Sequence, residues 1–320
     1  MPAPELEGVS LQAIRAAQAR IAPFVRRTPL VSSATLGRRL GAPVYLKLEL
    51  LQKTGSFKVR GAFNKMATLA PGTRVVAVSG GNHAQAVAYA AGVLDMRARV
   101  FMPASTPANY LDATRGYGAE IVLVNAIADA FAQATAAVAD GCVMVHPFDD
   151  PAVIAGQGTL GLEILDDLPE AADVVVSIGG GGLAAGVAAA CKALRPQIRI
   201  WGVETEGADA MARALAAGSP VTIQPTSIAR TLGAPSVSET TLLAVQRWLE
   251  RVEVVSDAAA IAALEFLLER CKVLTEPAAA CTLAAADRLQ PHFRPDGPVV
   301  LILCGGNFAL ADLCRYRAAP

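Results

Sequence analysis

The sequence predicts an α/β protein of two lobes, each built on a parallel sheet that is covered by helices. Short apolar runs rich in β-branched residues alternate with alanine-rich stretches of helical character. Strands that are buried on both faces of a sheet read as continuous apolar runs, as these do. The 320 residues, 53% of them hydrophobic and 18% charged, are enough for a large buried core.

The predicted strands fall into two groups along the chain. They are 75–78, 98–103, 120–125 and 143–147 in the first group, then 173–179, 199–204, 252–256 and 299–306 in the second. The stretch HPFDDPAVIAGQG, 146–158, predicts the crossover because it is rich in Pro, Asp and Gly. We expect a large domain formed by 1–67 and 150–320, a small domain formed by 68–149, and a small-molecule site in the cleft between them.

Composition argues against several classes of function. The formal net charge is zero and no basic tract occurs, so neither nucleic acid nor a membrane surface is expected as a partner. No apolar run reaches membrane-spanning length, and the polar N-terminus does not resemble a signal peptide. None of the six cysteines forms a CxxC pair, which predicts reduced core cysteines in a cytoplasmic protein rather than disulfides or zinc.

Three glycine-rich turns follow predicted strands. SGGNHAQAVAYAAG, 79–92, opens a helix whose free N–H groups suit an anion, although an ordinary turn with Asn82 as N-cap would explain it alone. SIGGGGLAAG, 177–186, has four consecutive glycines, and ordering them on folding carries a large entropic cost. A simple turn does not need four glycines, whereas a nest of backbone N–H groups around a phosphate does. It matches neither a GK[ST] loop nor the dinucleotide fingerprint. LILCGGNFA, 301–309, would place Cys304 at the carboxyl edge of the sheet.

Lys58 stands at the start of a predicted helix, directly after Ser56 and Phe57. A lysine in that position opposes the helix dipole, and burial would lower its pKa further from about 10.4. Such a lysine can attack a carbonyl, although by itself it could equally be a surface residue. Together with a phosphate nest and a second anion turn, Lys58 suggests a cofactor that carries both an aldehyde and a phosphate, which is pyridoxal phosphate.

Six motifs then occur in a recognisable order. They are SFKVRGA (56–62), SGGNHAQAVA (79–88), AGQGTLGLEI (155–164), GGGGLAAG (179–186), TEPAAA (275–280) and CGGN (304–307). As a set they resemble the fold-type II pyridoxal-phosphate enzymes, specifically the threonine/serine dehydratase and serine racemase family. The resemblance covers nearly the whole chain and implies the two-domain, tryptophan synthase β-like fold.

The resemblance implies a role for each matching residue. Lys58 corresponds to the catalytic lysine that binds the cofactor covalently and then removes the Cα proton. The other implied cofactor contacts are Phe57 against the pyridine ring, Asn82 at the phenolic oxygen, Gly179, Gly180, Gly181, Gly182 and Leu183 around the phosphate, and Cys304 facing the pyridine nitrogen. The implied substrate-carboxylate turn is Ser79, Gly80, Gly81, Asn82 and His83.

The implied reaction is that of a dehydratase, or ammonia-lyase, which converts L-threonine or L-serine to a 2-oxo acid and ammonia. Racemases of the family carry Ser at the position of Gly80, and glycine has no proton to give. Phe148 in HPFDDP also resembles threonine dehydratases. A thiol at Cys304 cannot hold the pyridine nitrogen protonated as a carboxylate would, which favours elimination, although Cys304 could equally fill space. A serine racemase-type isomerase remains the alternative.

Two departures from the family leave questions open. The family's divalent-cation site, for example for Mg²⁺, matches Glu204 and the carbonyl of Ala208, but Ala210 stands at the second carboxylate position unless Asp209 replaces it. In TSIARTLGA, 226–234, Arg230 and Thr231 stand where Asp and Gly are expected.

Arg230 bears on the choice of substrate. Its guanidinium could bind the second carboxylate of 3-hydroxyaspartate, or it could point to solvent or to an interface. Phenylserine in an open pocket is a further alternative, so the substrate is defined only as a β-hydroxy-α-amino acid.

Other classes of protein fit the residues less well. A cysteine synthase-like β-replacement lyase would carry other motifs at the first turn, and a binding protein without catalysis would not need Lys58. The resemblance implies a homodimer or homotetramer. Since the sequence ends at Pro320, soon after CGGN, no C-terminal effector domain is expected.

Overall fold

The computed structural model describes residue 6 and residues 8–318, which form ten strands and thirteen α-helices. The strands are β1 (Leu30–Ser32), β2 (Val44–Leu48), β3 (Arg74–Val78), β4 (Arg97–Pro103), β5 (Glu120–Val124), β6 (Val143–Met144), β7 (Asp173–Ser177), β8 (Arg199–Thr205), β9 (Leu249–Val255) and β10 (Val299–Leu303). The helices are α1 (Leu11–Ile21), α2 (Ala34–Leu40), α3 (Lys58–Met66), α4 (Asn82–Val93), α5 (Ala108–Gly116), α6 (Ile127–Ala139), α7 (Pro151–Asp167), α8 (Gly182–Leu194), α9 (Ala210–Ala217), α10 (Glu239–Trp248), α11 (Asp257–Phe266), α12 (Pro277–Leu289) and α13 (Leu310–Ala318).

The larger sheet has six strands in the order β1-β2-β10-β7-β8-β9. All neighbours are parallel except β1, which runs antiparallel to β2 at the edge. Every residue of β7 and β10 is buried, which is the reason that these strands read as uninterrupted apolar runs.

The smaller sheet has four parallel strands in the order β5-β4-β3-β6. It takes its strands from residues 74–144, whereas the larger sheet takes its strands from 30–48 and 173–303. The predicted α/β class with parallel sheets covered by helices is confirmed, and all eight predicted strand regions contain a strand. The domain boundaries at 67/68 and 149/150 stay a prediction.

Two strands, β1 and β2, were absent from the sequence prediction. β2 reads VYLKL, and the charge of Lys47 interrupts the apolar run that marks a doubly buried strand. The structure explains the exception, because Lys47 is fully buried and its ammonium group is paired with Glu163 at 2.6 Å.

A buried ion network holds α3 in place. Arg60, which is fully buried, donates to both oxygens of Glu49 at 2.8 and 2.7 Å. Its Nη1 also donates to Glu163 on α7 at 2.7 Å, and Glu163 accepts from Lys47 on β2. The network therefore ties α3, α7 and β2 together two residues beyond Lys58.

Helix α7 packs at backbone distance against both α3 and α8. A Cβ added at Gly156 would lie 2.6 Å from the carbonyl oxygen of Arg60 on α3. A Cβ added at Gly158 would lie 2.9 Å from the carbonyl oxygen of Gly186 on α8. The AGQG motif thus sets the separation of α3 and α8, the two helices that begin at Lys58 and at the end of the glycine loop. None of the described helices has the length and apolar character needed to cross a membrane.

Replacing Gly156 by Ala should destabilise the fold by about 1–3 kcal/mol, because the added methyl group meets rigid backbone. Gly116 is the matched control, since it also lies in a helix but has no atom within 4 Å of its Cβ position. Gly116→Ala should be neutral or stabilising by up to about 1 kcal/mol. Urea unfolding of both variants measures the difference, and equal stabilities would contradict the packing argument.

Candidate active site

A cavity of about 550 Å³ opens where the carboxyl ends of β3, β7 and β10 meet. The turn at 79–83 follows β3, the glycine loop follows β7, and Cys304 follows β10. Lys58 reaches the same cavity from the start of α3. Strand ends of this kind are the usual place for a ligand site in an α/β protein, and all sequence-predicted cofactor and substrate residues line this cavity.

Lys58 is the first residue of α3, and its ammonium nitrogen lies 2.8 Å from the carbonyl oxygen of Pro147. Burial lowers the pKa of Lys58 from its usual value to about 8, although the neighbouring Cys304 and Glu276 raise it. The nitrogen also lies 5.1 Å from the centroid of the Phe57 ring. The structure therefore provides an amine with a much larger neutral fraction near physiological pH than an ordinary lysine has, beside an aromatic face.

The glycine loop is shaped so that side chains are excluded. Gly181 has φ +94°, a conformation that favours glycine, and α8 begins at the next residue with its free N–H groups at the cavity. A Cβ at Gly180 would overlap the ring of Phe148, and one at Gly182 would lie 2.9 Å from the Phe148 backbone. Part of the glycine requirement thus comes from the packing of Phe148 against the loop.

The turn at 79–83 begins α4 with Gly81 at the cap position, so the alternative interpretation of Asn82 as N-cap is wrong. Asn82 and His83 are buried in the first turn of the helix. The Asn82 side-chain amide donates to both oxygens of Glu276 at 2.9 and 3.2 Å. Its own oxygen accepts from Asn307 at 2.8 Å, so the amide is held at both ends.

His83 is a neutral group in this site. Its Nε2 lies 2.8 Å from the carbonyl oxygen of Val145, which requires that Nε2 carries the proton. Burial lowers the pKa of His83 to about 3, and the nearby Lys58 lowers it further. His83 therefore adds no charge to the cavity near neutral pH.

Cys304 is a buried thiol at the end of β10. Burial raises the pKa of Cys304 well above its ordinary value, and the nearby Glu276 raises it further. The thiol is therefore protonated and uncharged. All six cysteines of the chain are free.

Sequence reasoning gave no role to two residues that line the cavity. Glu276 follows Thr275 in the TEPAAA motif, where an acidic residue before Pro277 is typical of a helix start and so conceals any other role. Thr231 lies in a short 3₁₀ turn, Arg230–Leu232, and its hydroxyl donates to Glu276 at 2.8 Å. Neither pairing has a local sequence signal.

Arg230 lies at the mouth of the cavity and is exposed. One guanidinium nitrogen is 3.3 Å from the carbonyl oxygen of Ser105, which belongs to the segment after β4. The placement leaves the guanidinium accessible, and its role in substrate binding stays a prediction.

The predicted metal residues lie away from the cavity lining. Both oxygens of the buried Glu204 carboxylate accept from backbone N–H groups, those of Met211 and Ala212, at 2.9 and 2.8 Å. Asp209 pairs with Arg213 at 2.9 Å, and Ala210 is the first residue of α9. The donor set at Glu204 and Ala208 therefore does not fit a divalent cation. Over the described residues, no group of three His, Cys, Asp or Glu side chains could hold a metal ion.

The fold and the cavity define a pyridoxal-phosphate-dependent enzyme, because a buried amine with lowered pKa and a side-chain-free cradle of N–H groups share one cavity. The family model described as "Pyridoxal-phosphate dependent enzyme" matches residues 21–305, and the chain belongs to this family. Its dependence on pyridoxal phosphate, expected from the sequence, is thereby confirmed.

Relatives narrow the comparison further. The chain is 43% identical over 303 residues to an L-threonine ammonia-lyase of Geobacter sulfurreducens, covering 92% of this chain and 74% of the relative. It is 39% identical over 307 residues to an L-threonine ammonia-lyase of Thermotoga maritima, covering 93% of this chain and 76% of the relative. The solved structure of maize serine racemase matches with a TM-score of 0.91 at 36% identity, covering 97% of each chain.

The reactivity of Lys58 in the cofactor-free protein should follow its lowered pKa. The neutral, reactive fraction of the amine grows as pH rises through about 8. Acetylation of Lys58, followed by mass spectrometry of its peptide, should therefore reach its half-maximal rate near that pH. Glu276→Gln removes a charge that raises this pKa, so the midpoint should move lower still. A midpoint near the ordinary lysine value would show that Lys58 is not desolvated in solution.

Proposed function

We propose that the protein is a pyridoxal-phosphate-dependent ammonia-lyase, or dehydratase, acting on a β-hydroxy-α-amino acid such as L-threonine or L-serine. The products are a 2-oxo acid and ammonia. The observation that carries the proposal is the Lys58 amine, with its pKa near 8, placed between the glycine loop and the turn at 79–83. Relatives named L-threonine ammonia-lyase at 39–43% identity support the choice of reaction.

Bound pyridoxal phosphate supplies an electron sink for the negative charge that develops at the substrate Cα. In the proposed arrangement the N–H groups of Gly179, Gly180, Gly181, Gly182 and Leu183 hold its phosphate, and Phe57 packs beside its ring. The free N–H groups at the start of α4, with Ser79, Gly80, Gly81, Asn82 and His83, bind the substrate carboxylate. This places the Cα proton within reach of Lys58, whose neutral amine is the general base.

Cys304 sets the electronic character of the proposed site. Its thiol is buried and keeps its proton, so it cannot act as the anionic partner that holds a pyridine nitrogen protonated. A weaker electron sink suits the loss of a β-hydroxyl group, which needs only brief stabilisation of the carbanion. Cys304 therefore favours elimination over transamination.

The alternative of a serine racemase-type isomerase draws support from the close match to maize serine racemase. The surroundings of Gly80 argue against it. A Cβ at Gly80 would lie 2.8 Å from the hydroxyl oxygen of Thr106 and 3.3 Å from Pro103, so no side chain fits at this position without rearrangement. In the proposed site Lys58 can transfer a proton, and residue 80 supplies no second proton-transfer group of the kind that racemisation would require.

A second candidate substrate class is favoured by Arg230. Its guanidinium is exposed at the cavity mouth, and its one hydrogen bond within the described part of the chain is a 3.3 Å contact to Ser105, so it is available to a second carboxylate. 3-Hydroxyaspartate is the β-hydroxy amino acid that would use it, and phenylserine would use the open volume instead. A homodimeric or homotetrameric, cytoplasmic enzyme completes the proposal on the strength of the family resemblance, and light scattering on the purified protein would measure the assembly.

The direct test is release of 2-oxo acid from a panel of L-threonine, L-serine, 3-hydroxyaspartate and phenylserine. Lys58→Ala should lower the rate by at least roughly 10²–10⁴-fold and abolish the long-wavelength band of bound cofactor. Lys53→Ala is the matched control, because Lys53 packs over Tyr89 outside the cavity. The highest rate identifies the preferred substrate, and selective loss of activity on 3-hydroxyaspartate in Arg230→Ala would show that Arg230 binds its second carboxylate. A panel without any 2-oxo acid release would refute the lyase proposal.

Racemisation of L-serine should be slow compared with elimination, because residue 80 carries no acid. Chiral chromatography of D-serine, alongside pyruvate measurement in the same reaction, gives the ratio of the two rates. Since Thr106 and Pro103 occupy the space, Gly80→Ser alone should impair both reactions rather than create a racemase. D-serine formation as fast as pyruvate formation in the unmodified enzyme would favour the isomerase instead.

A further inference from the structure

Glu276 occupies the cap position before α12 yet makes no side-chain hydrogen bond to the helix. A polar side chain at the cap position, most often Ser, Thr, Asp or Asn, ordinarily accepts from the first turn of its own helix. Here the carboxylate, which is 2% exposed, turns into the cavity instead. Its hydrogen-bond donors are the Asn82 amide, the Thr231 hydroxyl and the backbone N–H of Asn307, and all three lie outside α12.

The Asn82 amide has a defined orientation because both ends are bound. Asn307 donates one side-chain N–H to the Thr54 carbonyl at 2.7 Å and the other to the Asn82 oxygen. The Asn82 nitrogen must therefore be the end that faces Glu276. The two carboxylate oxygens lie too close together to engage both diverging N–H bonds of an amide, so the contacts at 2.9 and 3.2 Å share one N–H of Asn82. Among the described residues, the second N–H has no hydrogen-bond acceptor.

Thr231 contacts this arrangement from the other side. Its hydroxyl donates to Glu276, while its methyl carbon lies 3.3 Å from the Cβ position of Gly81 in the substrate turn. Thr231 stands where the sequence resemblance leads one to expect glycine, which has no hydroxyl to donate. The contact between Thr231 and Glu276 thus depends on the hydroxyl group of this threonine.

We propose that Glu276 is a positioning residue that presents the free N–H of Asn82 to the cofactor, and that the Thr231 hydroxyl holds Glu276 in that orientation. The inference rests on the proposed function and on the contact of Asn82 with the cofactor's phenolic oxygen, which the sequence resemblance implies. It assigns Thr231 and Glu276 to the orientation of another side chain and not to bond breaking.

The pKa of Glu276 depends on whether Thr231 and Asn82 donate to its carboxylate, so it can be used to test this arrangement. Burial raises the pKa of Glu276 to about 7, while the donors Thr231 and Asn82 oppose that rise. The other titratable groups facing Glu276 are Lys58, Cys304, Tyr110 and Cys281. The last three have pKa values raised by burial and stay neutral. The groups that change charge near pH 7 are therefore Glu276 and, in the cofactor-free protein, Lys58.

The experiment is a pH titration of the absorption band of bound pyridoxal phosphate in the holoenzyme without substrate. Thr231→Val keeps the shape and removes the hydroxyl, so the acid-side midpoint should rise by about one pH unit. Thr231→Ser keeps the hydroxyl and should retain the midpoint of the unmodified enzyme. Glu276→Gln should abolish the transition and thereby assign it.

Thr282→Val is the control for loss of a buried threonine hydroxyl, since over residues 8–318 the Thr282 hydroxyl bonds only to the Ala279 carbonyl within α12. It should leave the midpoint unchanged even if it lowers thermal stability. Should Glu276→Gln fail to fold, the pair at Thr231 still decides. Unchanged midpoints in Thr231→Val, or equal shifts in Thr231→Val and Thr231→Ser, would overturn the inference.

The outcome is separable from that of the proposed reaction. A holoenzyme whose midpoint moves only in Thr231→Val, but which releases no 2-oxo acid, would support the positioning role and refute the lyase activity. An active enzyme whose midpoint is the same with and without the Thr231 hydroxyl would support the lyase activity and refute the positioning role. A protein that binds no pyridoxal phosphate would overturn both.

Discussion

The position of Lys58 depends on four buried charges that lie behind it. Arg60 and Lys47 carry two positive charges, Glu49 and Glu163 carry two negative charges, and all are shielded from water. Taking such charges out of water is costly, and the cost is offset only when every donor and acceptor is engaged. The forked guanidinium of Arg60 meets that condition by binding both carboxylates, so α3 has one permitted position relative to β2 and α7.

Helix α7 extends this constraint to the glycine loop at the start of α8. The same helix supplies Glu163 to the ion network and glycines to its contacts with α3 and α8. Backbone-to-backbone contact leaves no compressible side chain between the helices, so their separation is fixed within a narrow range. The amine at the start of α3 and the N–H groups at the start of α8 are thereby held at a constant spacing, as a rigid cofactor with an aldehyde and a phosphate would require.

Much of this could be predicted from the sequence because the signals are local. Continuous apolar runs identified the strands that are buried on both faces, and glycines after strands identified the turns that line the cavity. The signal failed at β2, where Lys47 is buried only because Glu163, 116 residues away, neutralises it. It failed again at Glu276, whose partner Asn82 is 194 residues away in the chain. Long-range polar pairing has no periodicity, so composition and spacing cannot reveal it.

Burial also decides which groups in the cavity carry charge. It makes His83 and Cys304 neutral, which leaves Lys58 and Glu276 as the pair whose pKa values, about 8 and about 7, lie close to physiological pH. Each group opposes the effect of burial on the other. Burial lowers the pKa of the amine and the carboxylate raises it, whereas burial raises the pKa of the carboxylate and the amine lowers it. A general base works best with a pKa near the operating pH. Without Glu276 the pKa of Lys58 would be lower and its amine a weaker base. Without burial the amine would be almost entirely protonated. The carboxylate and the desolvated pocket together therefore keep the pKa of Lys58 near the operating pH.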